Sequence, residues 1–106
     1  MKIAVTGADR SMGAMLCRRL AADHDIRPVG VAAEPATDLG MVASAYHRAD
    51  LRLPSSVGLV LADIDLILHA QPYDAGQVEG RPGSDVLDVV ARGTYVLMNS
   101  GHEAGI

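Results

Sequence analysis

The sequence has no tryptophan and no phenylalanine, and its three tyrosines stand at 46, 73 and 95. A core must therefore be made of small aliphatic side chains, which suits helices packed closely on a sheet. Aromatic platforms for stacking bases are missing. With a net charge of −4 and a pI near 5.4 there is no basic surplus to meet a phosphate backbone, so nucleic acid is not an expected partner. The one cysteine, Cys17, excludes an internal disulfide and fits a reducing compartment, so the cytoplasm is the expected location. Histidines at 24, 47, 69 and 102 are scattered, with no i,i+4 pair and no Cys cluster, so no metal centre is expected. No apolar run approaches the roughly 18 residues of a membrane span. Met1-Lys2 leads straight into an apolar stretch, so no leader segment is expected. Lys2 is the only lysine.

What is present is a chain of one domain's length, rich in Ala, Val, Leu and Gly. Its organising stretch is Ile3-Ala4-Val5-Thr6-Gly7-Ala8-Asp9-Arg10-Ser11-Met12-Gly13. It reads as a buried strand, a glycine-bearing turn and a helix start. A helix N-terminus offers unpaired amides and a positive dipole end, and phosphate suits both. Gly7 permits a turn that a side chain would forbid, and Gly13 permits close packing of helix on strand. An ordinary strand-to-helix turn without ligand is the plainer alternative.

In chain order, strands are predicted at 2–6, 26–33, 46–49 and 63–70. Helices are predicted at 12–22, 39–44, 54–62 and 85–103, and a loop at 71–83. The first helix should bury Met12, Met15, Leu16 and Leu20, with Cys17 at the edge of that face. Thr37 or Asp38 should cap the second helix, with Met41 and Val42 inward, and Ser55 or Ser56 the third. Gly105 should end the last one. Alternation of strand and helix predicts an α/β doubly wound parallel sheet of Rossmann type, in strand order 3-2-1-4. Its ligand site lies between the first and fourth strands, at residues 7–13 and 69–72.

Thr6-Gly7-Ala8-Asp9-Arg10-Ser11-Met12-Gly13 resembles the nucleotide-binding loop of the short-chain dehydrogenase/reductase superfamily, with Ser11 or Arg10 where its two branches carry a middle glycine. Asp50-Leu51 resembles the extended, epimerase/dehydratase branch, in which the carboxylate meets the adenine amine and the apolar side chain packs by the ring. A turn aspartate is the alternative for Asp50. Residues 63–70 resemble the family's strand ending in His-x-Ala-Ala, whose backbone lines ribose and nicotinamide; His69 can equally be a packed core histidine. Val90-Ala91-Arg92-Gly93-Thr94 resembles the family's Asn-Val-x-Gly-Thr, with Val90 in place of the Asn that supports proton relay.

The resemblance implies an NAD(P)-binding Rossmann domain over residues 1–106. Expected dinucleotide contacts are Gly7, Asp9, Arg10, Ser11, Met12 and Gly13 of the loop, Glu34 after the second strand, Asp50 and Leu51 after the third, and His69, Ala70 and Gln71 after the fourth. Arg10, a base inside the loop, tips the expected cofactor from NAD toward NADP. The family's catalytic Tyr-x-x-x-Lys is absent: the residues four beyond the tyrosines are Asp50, Gln77 and Asn99. No catalytic residue and no metal ligand is therefore expected here. The likeness covers the front part of the family's domain and stops before a fifth strand. The expectation is a fragment of an oxidoreductase, epimerase or dehydratase acting on a small molecule. The alternative is a non-catalytic NAD(P)-sensing module. The apolar fourth strand would then be an edge, so self-association through it or through the last helix is expected.

Overall fold

The computed structural model describes residues 1–71 and 88–106, apart from the side chains of residues 38, 41 and 89. The expected loop beyond Gln71, Tyr73, the start of the last helix at 85–87 and the inward placement of Met41 lie outside the described residues.

Four parallel strands form one sheet: β1 (Lys2–Thr6), β2 (Asp25–Gly30), β3 (His47–Arg48) and β4 (Leu66–His69). Their order is β3-β2-β1-β4. Thr6 lies opposite Val29 on one side and His69 on the other. Pro28 is tolerated inside β2 for a reason of register. The Val29 carbonyl accepts from Ala8 and the Gly30 carbonyl from Ala49. Alternation then turns Pro28 toward the β3 side, where pairing begins only at Val29.

Successive residues of β1 face opposite ways, and each face has its own core. Ala4 and Val29 join Leu51, Val57, Val96 and Leu97 on one side. Ile3 and Val5 join Ala8, Ala14, Cys17 and Leu39 on the other. Helix α1 (Ser11–Leu20) covers the second face; α2 (Pro54–Val60) and α3 (Gly93–Glu103) cover the first. This is the doubly wound Rossmann architecture expected from the alternation.

Several local expectations are corrected. Helix α1 buries Gly13, Ala14 and Cys17, while Met12 is 64% and Met15 38% exposed. The small side chains are the ones that let the helix axis approach the sheet. Strand β2 ends at Gly30, short of Ala33; beyond it the Ala32 N–H and carbonyl are bonded by the Asp9 and Tyr46 side chains rather than by a neighbouring strand. The helix expected at 39–44 is a run of 3-10 turns over Thr37–Ala45, broken at Gly40 with φ 71° and ψ −146°. Ala36, not Thr37 or Asp38, is its N-cap. Leu53 is the N-cap of α2, with Pro54 at the first helical position, where its missing N–H costs nothing. Ser56 instead accepts the Asp50 N–H at 3.0 Å. Strand β4 is shorter than expected and half-buried, with Leu66 39% exposed. A π turn over Asp88–Arg92 leads into α3.

The end of α3 follows the reading of Gly105. With φ 82° it sends its N–H to His102 and the Ile106 N–H to Gly101, which satisfies two carbonyls of the last turn. Among the described residues no helix is long and apolar enough to cross a membrane, and no three potential metal ligands cluster.

Cys17 has no exposed surface, and burial pushes its thiol up to about 11. A thiol reagent is expected to leave the folded protein unlabelled and to react promptly in urea. Fast labelling of the native protein would mean that α1 does not stay seated on the sheet.

Candidate functional site

The turn between β1 and α1 is held by two glycines. Gly7 adopts φ 76°, and a Cβ there would collide with the Ala70 carbonyl and lie 2.9 Å from the Gln71 nitrogen. A Cβ on Gly13 would run into the Gly7 carbonyl and stand 2.9 Å from the Ala8 nitrogen. The first turn of α1 is therefore drawn down onto the end of β1, and the end of β4 is drawn against the same point. The Arg10 N–H donates to the Gly7 carbonyl at 2.9 Å. Arg10 itself occupies the N-cap in an extended conformation and lends the helix no side-chain hydrogen bond, and no acidic residue stands in the first turn. Ser11 and Met12 are exposed beside buried Gly13. This is a cradle whose shape and dipole favour an anion.

Beside it lies a hydrogen-bonded chain joining β1, β4 and α3. The Ala70 N–H donates to Thr6 Oγ1 at 2.9 Å. Thr6 Oγ1 is 2.7 Å from His69 Nδ1, and His69 Nε2 is 3.1 Å from Thr94 Oγ1. Thr94 donates its own proton to the Val90 carbonyl at 2.8 Å. Proton accounting fixes the rest. Thr94 must accept, so His69 carries its hydrogen on Nε2, and Nδ1 accepts from Thr6. Burial holds the His69 pKa below its ordinary value, so the ring is neutral near neutrality. Gln71 follows at the strand end, and both polar atoms of its side-chain amide are buried with no hydrogen-bond partner among the described residues.

The end of β2 carries Asp9 and Tyr46. Asp9 Oδ2 accepts the Ala32 N–H at 3.0 Å, and the Tyr46 hydroxyl donates to the Ala32 carbonyl at 2.6 Å. Desolvation first, then the nearby Asp9 charge, pushes the Tyr46 phenol up to about 12. Glu34 is exposed beyond this strand end and adds to the same negative field. The sequence pattern puts Tyr46 at the start of β3 and offers no signal for a part in the site.

Asp50 and Leu51 stand elsewhere in role. Asp50 accepts from the Arg52 backbone N–H, from Nε at 3.0 Å and from Nη2 at 3.0 Å, a bidentate clasp that holds its carboxyl below the usual range. Arg52 also bonds Asp88 at 3.2 Å, tying the β3 end to the π turn. Leu51 is 5% exposed and packs in the α2–α3 core. The structure thus brings the glycine loop together with the ends of β4 and β2. It engages Asp50 with its own neighbours and buries Leu51.

No known family profile matches the sequence, and no curated protein sequence matches it. Solved structures do. UDP-glucose 4-epimerase from Thermus thermophilus, in complex with NAD, superposes at a TM-score of 0.82 with 17% identity, over 100% of this chain and 35% of its own. Uronate dehydrogenase from Agrobacterium tumefaciens gives 0.72 and 22%, over 96% of this chain and 36% of its own. A short-chain dehydrogenase/reductase from Vibrio parahaemolyticus gives 0.64 and 17%, over 92% and 48%. The chain spans about a third of the length of the first two. At these identities it is the backbone that is alike, and the chain has the Rossmann fold of these proteins.

Proposed function

We propose that residues 1–106 are the NAD(P)-binding part of a protein of the extended short-chain dehydrogenase/reductase type, and that the first turn of α1 receives the dinucleotide's diphosphate. One observation carries the reading: Gly7 and Gly13 both lack the room for a Cβ, at the point where β1, α1 and β4 converge. A turn that only had to connect strand to helix has no need of such closeness. The Gln71 amide, which has no partner among the described residues, and the backbone at His69 and Ala70 lie at the strand end along which the dinucleotide's other half would run. The cofactor would supply the hydride chemistry; this chain's residues bind and orient it.

The larger protein would act as an oxidoreductase, epimerase or dehydratase on a small molecule, in the cytoplasm. With Lys2 as the only lysine, the chain by itself is expected to turn nothing over. A non-catalytic NAD(P) sensor is the second reading, favoured by Val90 in place of the relay Asn. Pairing of two copies along the β4 edge, where Leu66 is 39% exposed, belongs to either reading. Calorimetric titration with NADH and with NADPH tests the proposal. Saturable binding of at least one, at micromolar to millimolar concentration, is the expected result. Heat-silent mixing with both, together with no protection against thermal unfolding, would overturn it.

A further inference from the structure

The end of β2 holds an arrangement that departs from the usual one in doubly wound sheets, where an acid carried by the second strand accepts from the adenosine ribose. Here that strand ends in Gly30, followed by Val31 and Ala32. A Cβ on Gly30 would strike the Tyr46 hydroxyl and lie 2.9 Å from Asp9 Cγ. The space a β2 side chain would take is filled by the Tyr46 phenol and, beside it, by a carboxylate reaching across from the glycine loop. That carboxylate is fixed on one side only. Its Oδ2 takes the Ala32 N–H at 3.0 Å, while its Oδ1 is buried and has no hydrogen-bond partner among the described residues. Tyr46 does not serve it, because the phenol proton goes to the Ala32 carbonyl at 2.6 Å. A buried carboxylate oxygen without a donor is an unstable arrangement unless something brings one.

We propose that Asp9 is the acceptor for the ribose hydroxyls of the bound dinucleotide, replacing an acid on β2, and that it selects NAD over NADP. This rests on the dinucleotide reading above. A ribose 2′-hydroxyl donates a hydrogen bond and suits Oδ1. A 2′-phosphate only accepts, and it would bring two negative charges to a carboxylate already sharing its field with Glu34. Arg48, the cation acting on Tyr46 from β3, donates Nε to the Val31 carbonyl at 3.2 Å. Arg10, whose charge suggests NADP, is the residue next to Asp9 and forms the N-cap of α1.

Calorimetric titrations of the wild-type chain and of Asp9→Asn with NADH and NADPH decide the matter. The wild type is expected to bind NADH at least about tenfold more tightly than NADPH. D9N keeps an amide oxygen for Ala32 but offers no charge. It is expected to lose about tenfold in NADH affinity and much less for NADPH, so that the preference collapses. Equal or tighter NADPH binding by the wild type overturns the assignment without the need for a variant. So does an equal loss of both nucleotides in a D9N protein whose thermal unfolding is unchanged. Binding of neither nucleotide to the wild type is a different result, which removes the dinucleotide reading itself.

Discussion

Gly7→Ala is expected to destabilise the protein by about 2–5 kcal/mol, while Gly58→Ala is expected to stabilise it by about 0.5–1 kcal/mol. The two changes add the same methyl group. At Gly7 the backbone sits at φ 76°, where a side chain meets its own carbonyl, and the new carbon collides with the Ala70 carbonyl. Neither obstacle is a flexible side-chain end that can swing away; both are backbone, one of them belonging to the neighbouring strand. Gly58 lies in α2, is exposed, and has nothing within 4 Å of the place a Cβ would occupy. There the methyl only restricts the unfolded chain and favours helix. Since a domain of this size has roughly 5–15 kcal/mol to lose, G7A can leave a substantial unfolded fraction. Urea unfolding followed by circular dichroism measures both shifts. A G7A midpoint equal to wild type would mean that the β1–α1 turn is not pressed against β4. Gly13→Ala, whose Cβ faces the Gly7 backbone, is expected to behave like G7A.

The glycine pair was legible because its constraint is local: a strand, a left-handed turn and a helix start lie within eleven consecutive residues. The strand order followed equally well, since a β-α-β alternation leaves few right-handed ways to wind a parallel sheet. Packing partners distant in sequence were not legible. Periodicity places Met12 and Met15 inward by size, but closeness to the sheet selects Gly13, Ala14 and Cys17. Asp9 and Tyr46 are 37 positions apart in sequence, and only the folding of β2 between them brings both to Gly30. Asp50 presents a pattern that reads as ligand recognition, and nothing in that pattern shows that Arg52, two residues on, also binds its carboxylate. A spacing pattern reports which side chains are available and not which of them a neighbour has already engaged.

Thr6→Val is expected to destabilise the protein by about 2–5 kcal/mol, although the two side chains are nearly the same shape. Thr6 is 1% exposed, so no cavity and little apolar area is at stake. What is lost is one hydroxyl that accepts from Ala70 and donates to His69. Its removal leaves a backbone N–H and a ring nitrogen without partners. Burial lowers the imidazole's pKa, and protonation would also have to rearrange this hydroxyl. A proton on Nδ1 would turn a second donor toward Thr6 Oγ1, which already accepts from Ala70, and the Thr6 hydrogen would have to find another acceptor. The folded state thus binds this proton less readily than the unfolded chain, whose histidine titrates near about 6.5. Folding is favoured in full above that pH, and stability falls as the pH drops from about 6.5 toward the lower folded pKa. His69→Gln should flatten that part of the stability profile relative to wild type, with the carboxylates at lower pH unaffected. Nitrogen-15 spectra of the imidazole should show hydrogen on Nε2 and not on Nδ1. A ring that titrates at its ordinary pKa, or a profile that H69Q leaves unchanged, would break the chain linking β1, β4 and α3. The glycine turn would then lose the hydrogen-bonded tie that positions the end of β4 beside it.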